Sequence, residues 1–361
     1  SWTLSAPGTL TSGTGTNGTW IFTLSAAGLS PAPGDVIQYY VVAQDQGTPA
    51  NLWYQPIAAS NPVHTDVNSQ VTPPASPSSY TITVAMSGTY FSPNDPGGQA
   101  ARTYPSLTGA GGFFAAVNFT SLSGDVTLIV NGDLTETGAN KLAQWAEDGI
   151  GGYGLAIRPD GATLRTLAGT AVASSTPMID LNGADRVTID GSFSGAGQYL
   201  LLRNTNVAPA SAGATIQFNN GATGDALLNC MLENNGTSAA SGVVAIGALG
   251  ANTGITISGN DVRDATAGTV GAPAIGIYGS SAANASLTIT NDTIRNWTTA
   301  GVWLPVAGSG VTVSGNHFFW SRGTAAATPQ TAIAIGGSGD AHVISGNFIG
   351  GSAPSCGGTA W

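Results

Sequence analysis

A short alternation of apolar and polar positions returns four times in the last third of the chain. The copies read ITISGNDVR, LTITNDTIR, VTVSGNHFF and HVISGNFIG, and they begin at Ile255, Leu287, Val311 and His342. Their starts are 32, 24 and 31 residues apart (287−255, 311−287 and 342−311). A unit that recurs at about 20–50 residues is typical of a solenoid, in which each repeat packs on the next.

Every copy carries an Asn or Asp at the same place, separated by two residues from the end of its short apolar-Thr/Val-apolar strand. These four residues, which we call the ladder column, are Asn260, Asp292, Asn316 and Asn347. Asn tolerates the left-handed backbone conformation of a tight turn, and stacked amides can hydrogen-bond along a column. We therefore expect the four side chains to stack from coil to coil where the chain turns between two sheets.

A second apolar strand lies between the copies and begins at Val243, Ala274, Gly301 and Ala332. Each coil thus holds two clear strands, with a third short one after the ladder residue. Three strands per turn predict an all-β fold, a right-handed parallel β-helix with three sheets.

The first part of the chain has a different pattern. Residues 19–26 and 35–46 alternate like antiparallel strands and are separated by a Pro/Gly turn. The second of these segments resembles the late strands of immunoglobulin-like or fibronectin-like modules. We assign residues 1–70 to such strands, in a module that is short of a full sandwich. Residues 71–80 read as a Pro/Ser linker.

Residues 81–361 are assigned to the β-helix, of which 81–177 form an irregular cap and early coils. Phe113, Phe114 and Val117 recur at helical spacing. They predict a short amphipathic helix that caps the N-terminal end of the solenoid and shields its exposed strand edge.

Composition narrows the function classes. The net charge is −10 with nine Lys and Arg residues spread thinly, which argues against binding nucleic acid. No apolar run approaches the length of a membrane span. The two cysteines, Cys230 and Cys356, do not form a disulfide framework, although a single bond between them stays open. Glu233, Arg263 and Arg295 align in successive coils and predict a Glu–Arg contact, modest in energy if exposed.

Three longer stretches resemble a known group of proteins. They contain TYPSLTGAGGFFAAVN, GDLTETGANKLAQW and MIDLNGADRVTIDG, and their motifs occupy residues 104–118, 133–145 and 178–191. Together they are similar to β-helix modules of large cell-surface proteins from Bacteroidetes, which often leave the cell by type IX secretion. The resemblance covers about residues 80–361. It implies an extracellular or cell-surface location but no particular reaction.

Polysaccharide lyases and glycoside hydrolases also adopt the parallel β-helix fold, so the fold alone does not decide between a structural protein and an enzyme. The carboxylates and arginines in question are Asp180, Asp185, Asp190, Asp261, Asp264, Asp292, Arg263 and Arg295. A hydrolase needs two carboxylates at a defined separation, and a lyase needs a base, often with Ca²⁺. Polygalacturonase-like signatures are missing from the sequence, so we assign no catalytic residue and no cofactor, and Ca²⁺ has no support. The histidines His64, His317 and His342 show no metal-ligand spacing.

Aromatic residues cluster in three successive coils. They are Tyr278, Trp297, Trp303, Phe319 and Trp320. The alternation GVWLP places Val302 and Leu304 on one face and Trp303 on the other. An exposed row of this kind could stack sugar rings, whereas a covering loop would make it part of the packing.

The sequence favours a secreted cell-surface structural or adhesive protein, whose rigid β-helix serves as a stalk or display surface. Its expected partners are a glycan or a protein at the cell surface, or further copies that pair with open strand edges. The alternatives are a β-helix polysaccharide lyase or hydrolase and a non-catalytic carbohydrate-binding module. Clustered carboxylates beside an Arg or Lys would indicate the lyase or hydrolase. An exposed aromatic strip without such a cluster would indicate the carbohydrate-binding module.

Overall fold

The chain divides into two compact units, Ser1–Val84 and Ala85–Trp361, and each is described by itself. The division falls four residues after the start expected for the β-helix (85−81). The computed structural model describes residues 6–23, 35–48, 50, 52–55, 76–82, 84–169, 172, 175–205, 213–267, 271–323 and 329–360.

The second unit is a parallel β-helix, as the repeat predicts. Its strands form three sheets, and every strand pairing in these sheets is parallel. Sheet 1 consists of Met86–Ser92, Ser121–Val130, Ala146–Glu147, Leu155–Pro159, Val187–Asp190, Ala226–Leu228, Thr256–Ser258, Thr288–Thr290, Thr312–Ser314 and Val343–Ser345. Sheet 2 consists of Leu134–Thr135, Arg165–Ala168, Leu200–Asn204, Met231–Asn234, Asp261–Asp264, Thr293–Arg295, His317–Phe319 and Phe348–Ile349. Sheet 3 consists of Ile179–Asn182, Ile216–Asn219, Val244–Ile246, Ile275–Gly279, Ala300–Leu304 and Thr331–Ile335.

The register between coils puts equivalent apolar side chains directly above one another. In sheet 1, Ile257 faces Leu227 in one neighbouring coil and Ile289 in the other. All three are at most 1% exposed, whereas the residues beside them on the same strands, which are Thr or Ser around Ile257 and Ile289, are half-buried. The alternation therefore directs one row of each strand into a continuous core along the axis.

The N-terminal end of this core is closed by the predicted helix, which spans Phe113–Phe119. Phe113, Phe114 and Val117 are fully buried in the same cluster as the strands. Their helical spacing points all three toward the end of the solenoid, so the capping prediction is confirmed. Two short 3₁₀ turns, Ala100–Arg102 and Pro354–Cys356, complete the helical structure of the described residues.

Motifs that suggested a family resemblance hold this cap together. The buried Glu136 carboxylate accepts hydrogen bonds from the backbone N–H groups of Leu107 and Thr108, at 2.9 and 2.6 Å, and from the Thr108 hydroxyl. Asn118 donates to the Lys141 carbonyl and accepts from the Ala143 N–H. The motifs at 104–118 and 133–145 are thus tied to each other by the buried contacts of Glu136 and the exposed contacts of Asn118, which gives them a structural role.

The first unit contains three two-stranded antiparallel sheets among its described residues. They pair Thr9–Thr14 with Asn17–Ile21, Val36–Tyr39 with Ser78–Thr81, and Val41–Gln44 with Leu52–Gln55. The expected antiparallel strands are present, and their immunoglobulin-like character stays a prediction.

The end of the expected linker needs a correction. Residues 71–75 lie outside the described part of the chain, but Ser78–Thr81 is a strand whose backbone pairs with Val36–Tyr39. Composition alone marked this segment as a linker, because Ser and Pro are common in linkers. A partner strand about 40 residues away in sequence supplies hydrogen bonds that local composition does not reveal.

Candidate functional site

The ladder column stacks at the corner between sheets 1 and 2, and hydrogen bonds link its members in one file. The Oδ1 atom of Asn260 accepts the backbone N–H of Cys230 at 2.9 Å. Asn260 in turn donates its backbone N–H and its Nδ2 to Oδ1 of Asp292, at 2.7 and 2.9 Å. Asp292 donates its backbone N–H to Asn316, which donates both groups to Asn347. The polarity is uniform: each member donates to the one in the next coil.

The column residues do not themselves adopt the left-handed backbone conformation expected for them. That conformation belongs to the residue just before each one, at Gly259, Asn291, Gly315 and Gly346, with φ of 72°, 57°, 68° and 63°. Gly, or an Asn that tolerates positive φ, makes the turn. The following side chain is thereby free to point inward and satisfy buried backbone groups.

Asp292 is the one carboxyl group in a column of amides. Its Oδ1 takes the two hydrogen bonds that Asn260 donates, so its Oδ2 stands where the other members place Nδ2. Oδ2 is buried and has no hydrogen-bond partner. Burial raises the pKa of Asp292 to about 7, although the Asn260 hydrogen bonds act in the opposite direction.

Removal of one ladder amide is expected to destabilise the β-helix. In Asn260→Ala the Cys230 N–H and the Leu227 carbonyl lose their partners in a fully buried site. We expect a loss of about 2–3 kcal/mol in the free energy of unfolding, measured by urea titration with far-UV circular dichroism. Thr256→Ala, at a half-buried position on the outer face of the preceding strand, is the control and should change it by about 0.5 kcal/mol or less. Equal losses in the two variants would contradict the ladder's energetic role.

A second amide column, which the sequence analysis missed, lies at the corner between sheets 3 and 1. Asn252 accepts the Gly221 and Ala222 N–H groups at 3.0 and 3.1 Å, and it donates through Nδ2 to Oδ1 of Asn284 at 2.9 Å. Both side chains are buried. Each stands three residues before the first apolar residue of the repeat (255−252 and 287−284). Only two copies carry this signal, which is too few to separate from chance in an Asn-rich chain.

Charged side chains form a network on the outer face of sheet 2, which we call the charge network. Its pivot is Glu233, whose side chain is fully buried. Arg203 lies 2.5 Å away in the preceding coil, and Arg263 lies 2.8 Å away in the following one. The Glu–Arg contact between coils is therefore confirmed, but its setting is buried rather than exposed. Burial raises the pKa of Glu233, yet hydrogen bonds from Arg203, Thr266 and Arg263 outweigh it and hold that pKa below the usual value.

The network continues through Asp261. Arg263 Nη1 lies 2.7 Å from Asp261 Oδ2, and Arg295 makes a bidentate pair with the same carboxylate, at 2.9 Å for each contact. Arg295 thus binds Asp261 and not Glu233. Nearby, Arg322 lies 2.8 Å from Asp264. Carboxylates and arginines do cluster on one sheet face, but the partners of these carboxylates come from the protein itself.

The remaining candidate carboxylates are also engaged within the chain. Asp180 pairs with Lys141 at 3.1 Å, Asp185 accepts from the N–H and hydroxyl of Thr223, and Asp190 accepts from the N–H of Ser192. Burial raises the pKa of Asp180, with Lys141 acting against it. These contacts cap turns and join coils, which gives the three carboxylates a structural role.

The five aromatic residues do not form one exposed row. Trp297 is 1% exposed and packs edge-on against Phe318, with ring centroids 5.9 Å apart. Phe319 and Trp320 are also buried. For these three residues the structure shows the packed alternative that the sequence left open. Alternation along a strand gives no information about what covers a side chain.

Tyr278 and Trp303 remain as an aromatic pair. They are register neighbours on adjacent strands of sheet 3, and both side chains are half-buried. Val302 and Leu304, which flank Trp303, are in the core, so Trp303 does point outward.

No group of three or more His, Cys, Asp or Glu side chains is placed to hold a metal ion among the described residues. His317 stacks on Phe348 with centroids 4.9 Å apart, and its Nδ1 accepts the Ser355 N–H. His342 accepts the Val311 N–H through Nδ1, and His64 lies outside the described residues. Cys230 is buried and Cys356 is exposed, and the two thiols are free.

Taken together, the fold and these contacts define a parallel β-helix whose polar side chains mainly join one coil to the next. Comparison with protein-family models, curated proteins and solved structures finds no match. In the part of the chain that the structure describes, no helix combines the length and apolar character needed to cross a bilayer.

Proposed function

We propose that this protein is a secreted, cell-surface structural or adhesive protein whose β-helix acts as a rigid, non-catalytic stalk or display surface. The observation that carries the proposal is the use of the polar side chains. The ladder column and the charge network join coil to coil and leave little chemistry for a substrate. A stack of coils lengthens without needing a wider core, which suits a spacer. The resemblance to Bacteroidetes surface modules supports the same location.

The main alternative is a polysaccharide lyase or glycoside hydrolase, and the charge network is the observation that favours it. Asp261, Arg263 and Arg295 stand together on the outer face of sheet 2, where such an enzyme would need a carboxylate beside a basic group. A reducing-sugar assay, combined with detection of unsaturated uronates at 235 nm on a panel of neutral and acidic polysaccharides, separates the two proposals. We expect no product. Product that disappears in Asp261→Asn would replace the scaffold proposal by the enzyme one.

Glycan binding by the aromatic pair is the adhesive form of the proposal. Trp303 and Tyr278 are half-buried aromatic neighbours on adjacent strands of sheet 3, and an aromatic ring with an accessible face suits stacking on a sugar ring. We expect Trp303→Ala to weaken retention on a polysaccharide that binds the wild type by about tenfold, corresponding to about 1.4 kcal/mol. The measurement is a pull-down on insoluble polysaccharides selected with a glycan array.

Phe119→Ala is the matched control, since Phe119 is a surface aromatic residue that is 70% exposed on the capping helix. It should leave retention unchanged. Unchanged retention in Trp303→Ala would remove the aromatic pair as the glycan site and leave the stalk function standing.

A further inference from the structure

The outer face of sheet 3 carries a continuous row of side chains that runs along the axis of the β-helix. Gln217 pairs in register with Ala245, and Ala245 pairs with Tyr278. Tyr278 pairs in turn with Trp303. We call these residues the axial row. Because neighbouring strands of a sheet lie about 4.8 Å apart, the row extends over about 14 Å from Gln217 to Trp303. The aromatic pair is therefore one end of a longer surface.

The axial row points away from the core at its amide end as it does at its aromatic end. Ile216 and Phe218, which flank Gln217 on the same strand, are fully buried in the core. The long side chains of the row are half-buried, whereas Ala245 is 5% exposed. Since its methyl group is shorter than the side chains on both sides, the row has a recess between the amide and the aromatic pair.

Each long side chain of the axial row has a polar group that the protein itself does not use. Within the described part of the chain, the Gln217 amide, the Tyr278 hydroxyl and the Trp303 indole N–H form no hydrogen bond to another residue. None of them is among the buried polar atoms that lack a partner, so they remain accessible to solvent. A ligand on this row meets aromatic carbon for its apolar faces and polar groups for its hydroxyls, which is the combination that a sugar requires.

The strands around the axial row are uncharged. No Asp, Glu, Lys or Arg occurs in the strands Ile216–Asn219, Val244–Ile246, Ile275–Gly279, Ala300–Leu304 and Thr331–Ile335. The chain as a whole has a net charge of −10. An acidic polysaccharide would therefore meet a repulsive field from the protein and no basic side chain in these strands. This charge distribution favours a neutral ligand.

We propose that the axial row binds a neutral, β-1,4-linked polysaccharide in its extended form, with the sugar chain running along the axis of the β-helix. Such a chain is a flat ribbon whose rings advance by nearly the same distance as successive coils, so one ring meets one coil. Sugar rings pack on Trp303 and Tyr278, and a hydroxyl further along the chain binds the Gln217 amide. The inference rests on the adhesive form of the proposed function and names the class of glycan and its direction.

The class of glycan is tested with the full chain and soluble oligosaccharides in isothermal titration calorimetry. The neutral β-1,4-linked probes are cellohexaose, xylohexaose and chitohexaose, and the comparison probes are the curled α-1,4-linked maltohexaose and the acidic hexagalacturonate. We expect one or more of the neutral β-1,4-linked probes to bind about tenfold or more tightly than either comparison probe. Equal or tighter binding of maltohexaose or hexagalacturonate would overturn the inference.

The direction of the sugar chain is tested with two truncations. Gln217→Ala should weaken the hexasaccharide that binds best by about threefold, as expected for the loss of one hydrogen bond. Val306→Ala is the matched control and should leave the affinity unchanged. Val306 is 42% exposed and lies just beyond the end of the strand that carries Trp303, where a glycan running along the strand would pass. Unchanged binding by Gln217→Ala, or a loss in Val306→Ala, would overturn the axial course.

Chain length supplies an independent measurement of the same course. The affinity should rise from the disaccharide to about the tetrasaccharide, which covers the whole axial row, and then level off. A series whose affinity does not rise with length would contradict contact with more than one coil. Far-UV circular dichroism and thermal melting check that every variant is folded like the wild type.

Trp303→Ala, measured in the same titrations, separates a failure of this inference from a failure of the proposed function. If this variant loses affinity but the class or the direction is wrong, the inference falls and glycan binding by the aromatic pair stands. If the wild type binds none of the probes, or Trp303→Ala binds as the wild type does, the inference and the aromatic pair as a glycan site fall together. The stalk function does not depend on either result.

Discussion

Glu233→Ala is expected to lower the free energy of unfolding of the β-helix by about 3–5 kcal/mol, the range measured when one partner of a buried ion pair is removed. The Glu233 carboxylate is fully buried and takes hydrogen bonds from Arg203, Arg263 and Thr266. Without it, two guanidinium groups remain side by side, each with at most a fifth of its side chain exposed. Their mutual repulsion and lost hydrogen bonds act in three successive coils.

The control for this variant is a similar pair in a wetter setting. Arg165 and Asp160 lie 2.7 Å apart with 22% and 30% of their side chains exposed. Asp160→Ala should lower the free energy of unfolding by about 1 kcal/mol or less, and added salt should make this loss smaller. The loss in Glu233→Ala should be nearly the same at low and high salt, because the Glu233 pair is buried. Urea titrations at low and high salt measure both. A Glu233→Ala loss as small as that of Asp160→Ala would show that the charge network is not a structural device.

Asp292→Asn is expected to stabilise the protein above pH 7 and to have little effect near pH 4. The pKa of Asp292 is raised to about 7 in the folded state, against 3.8 for the free side chain. Between these values the folded state holds a proton that the unfolded state has released. Stability therefore falls as pH rises from about 4 to 7 and stays low above it. At about 1.36 kcal/mol per pKa unit, the ionisation of Asp292 lowers the free energy of unfolding by an amount of the order of 4 kcal/mol between pH 4 and pH 7.

The geometry of the column explains why the charged form is costly. Asn260 supplies two hydrogen bonds to Oδ1, but Oδ2 lies in the place of an Nδ2 donor and has no partner. In Asn260 and Asn316 the Nδ2 group donates both to Oδ1 of the next ladder residue and to a backbone carbonyl of a neighbouring strand. Oδ2 of Asp292 occupies the equivalent position and therefore faces two oxygen atoms. A protonated Oδ2 can donate to one of them, whereas a carboxylate is repelled by both.

Denaturant titrations of wild type and Asp292→Asn at pH 4.5 and pH 8 measure the effect. Asn316→Asp is the mirror control, since it moves a carboxyl group to the next position of the same column and should destabilise at pH 8 far more than at pH 4.5. Asp225, whose pKa burial raises to about 8, adds its own pH dependence, but it is common to all three proteins. A pH-independent difference between wild type and Asp292→Asn would refute the protonated state of Asp292 in the folded protein.

Much of the fold could be predicted because its signal is local and repeated. The alternation around Ile257 or Ile289 recurs in every coil, so the strands, their parallel stacking and the ladder column follow from one pattern. The capping helix is equally local, because Phe113, Phe114 and Val117 share a helical face within a few residues. Such features depend on spacing along the chain, which the sequence contains in full.

The errors and the alternatives left open concern features that depend on what covers a side chain. For Trp297, Phe319 and Trp320 the sequence left exposure and packing open, and the structure shows that all three are buried. The left-handed turn position was assigned to the amide itself, whereas Gly259 or Gly315 before it makes the turn. Residues 78–80 have the composition of a linker, but the distant strand Val36–Tyr39 pairs with them. None of these neighbours is visible in a local window.

The sequence by itself determined that the chain winds into stacked coils, that an Asn or Asp marks one corner of each of the last four coils, and that a helix closes one end. Only the tertiary structure decided that Glu233 is buried between two arginines, that Oδ2 of Asp292 has no hydrogen-bond partner, and that Trp297 lies in the core. The reason is physical: periodicity fixes which face a residue takes, whereas burial and pKa depend on atoms that approach from other coils.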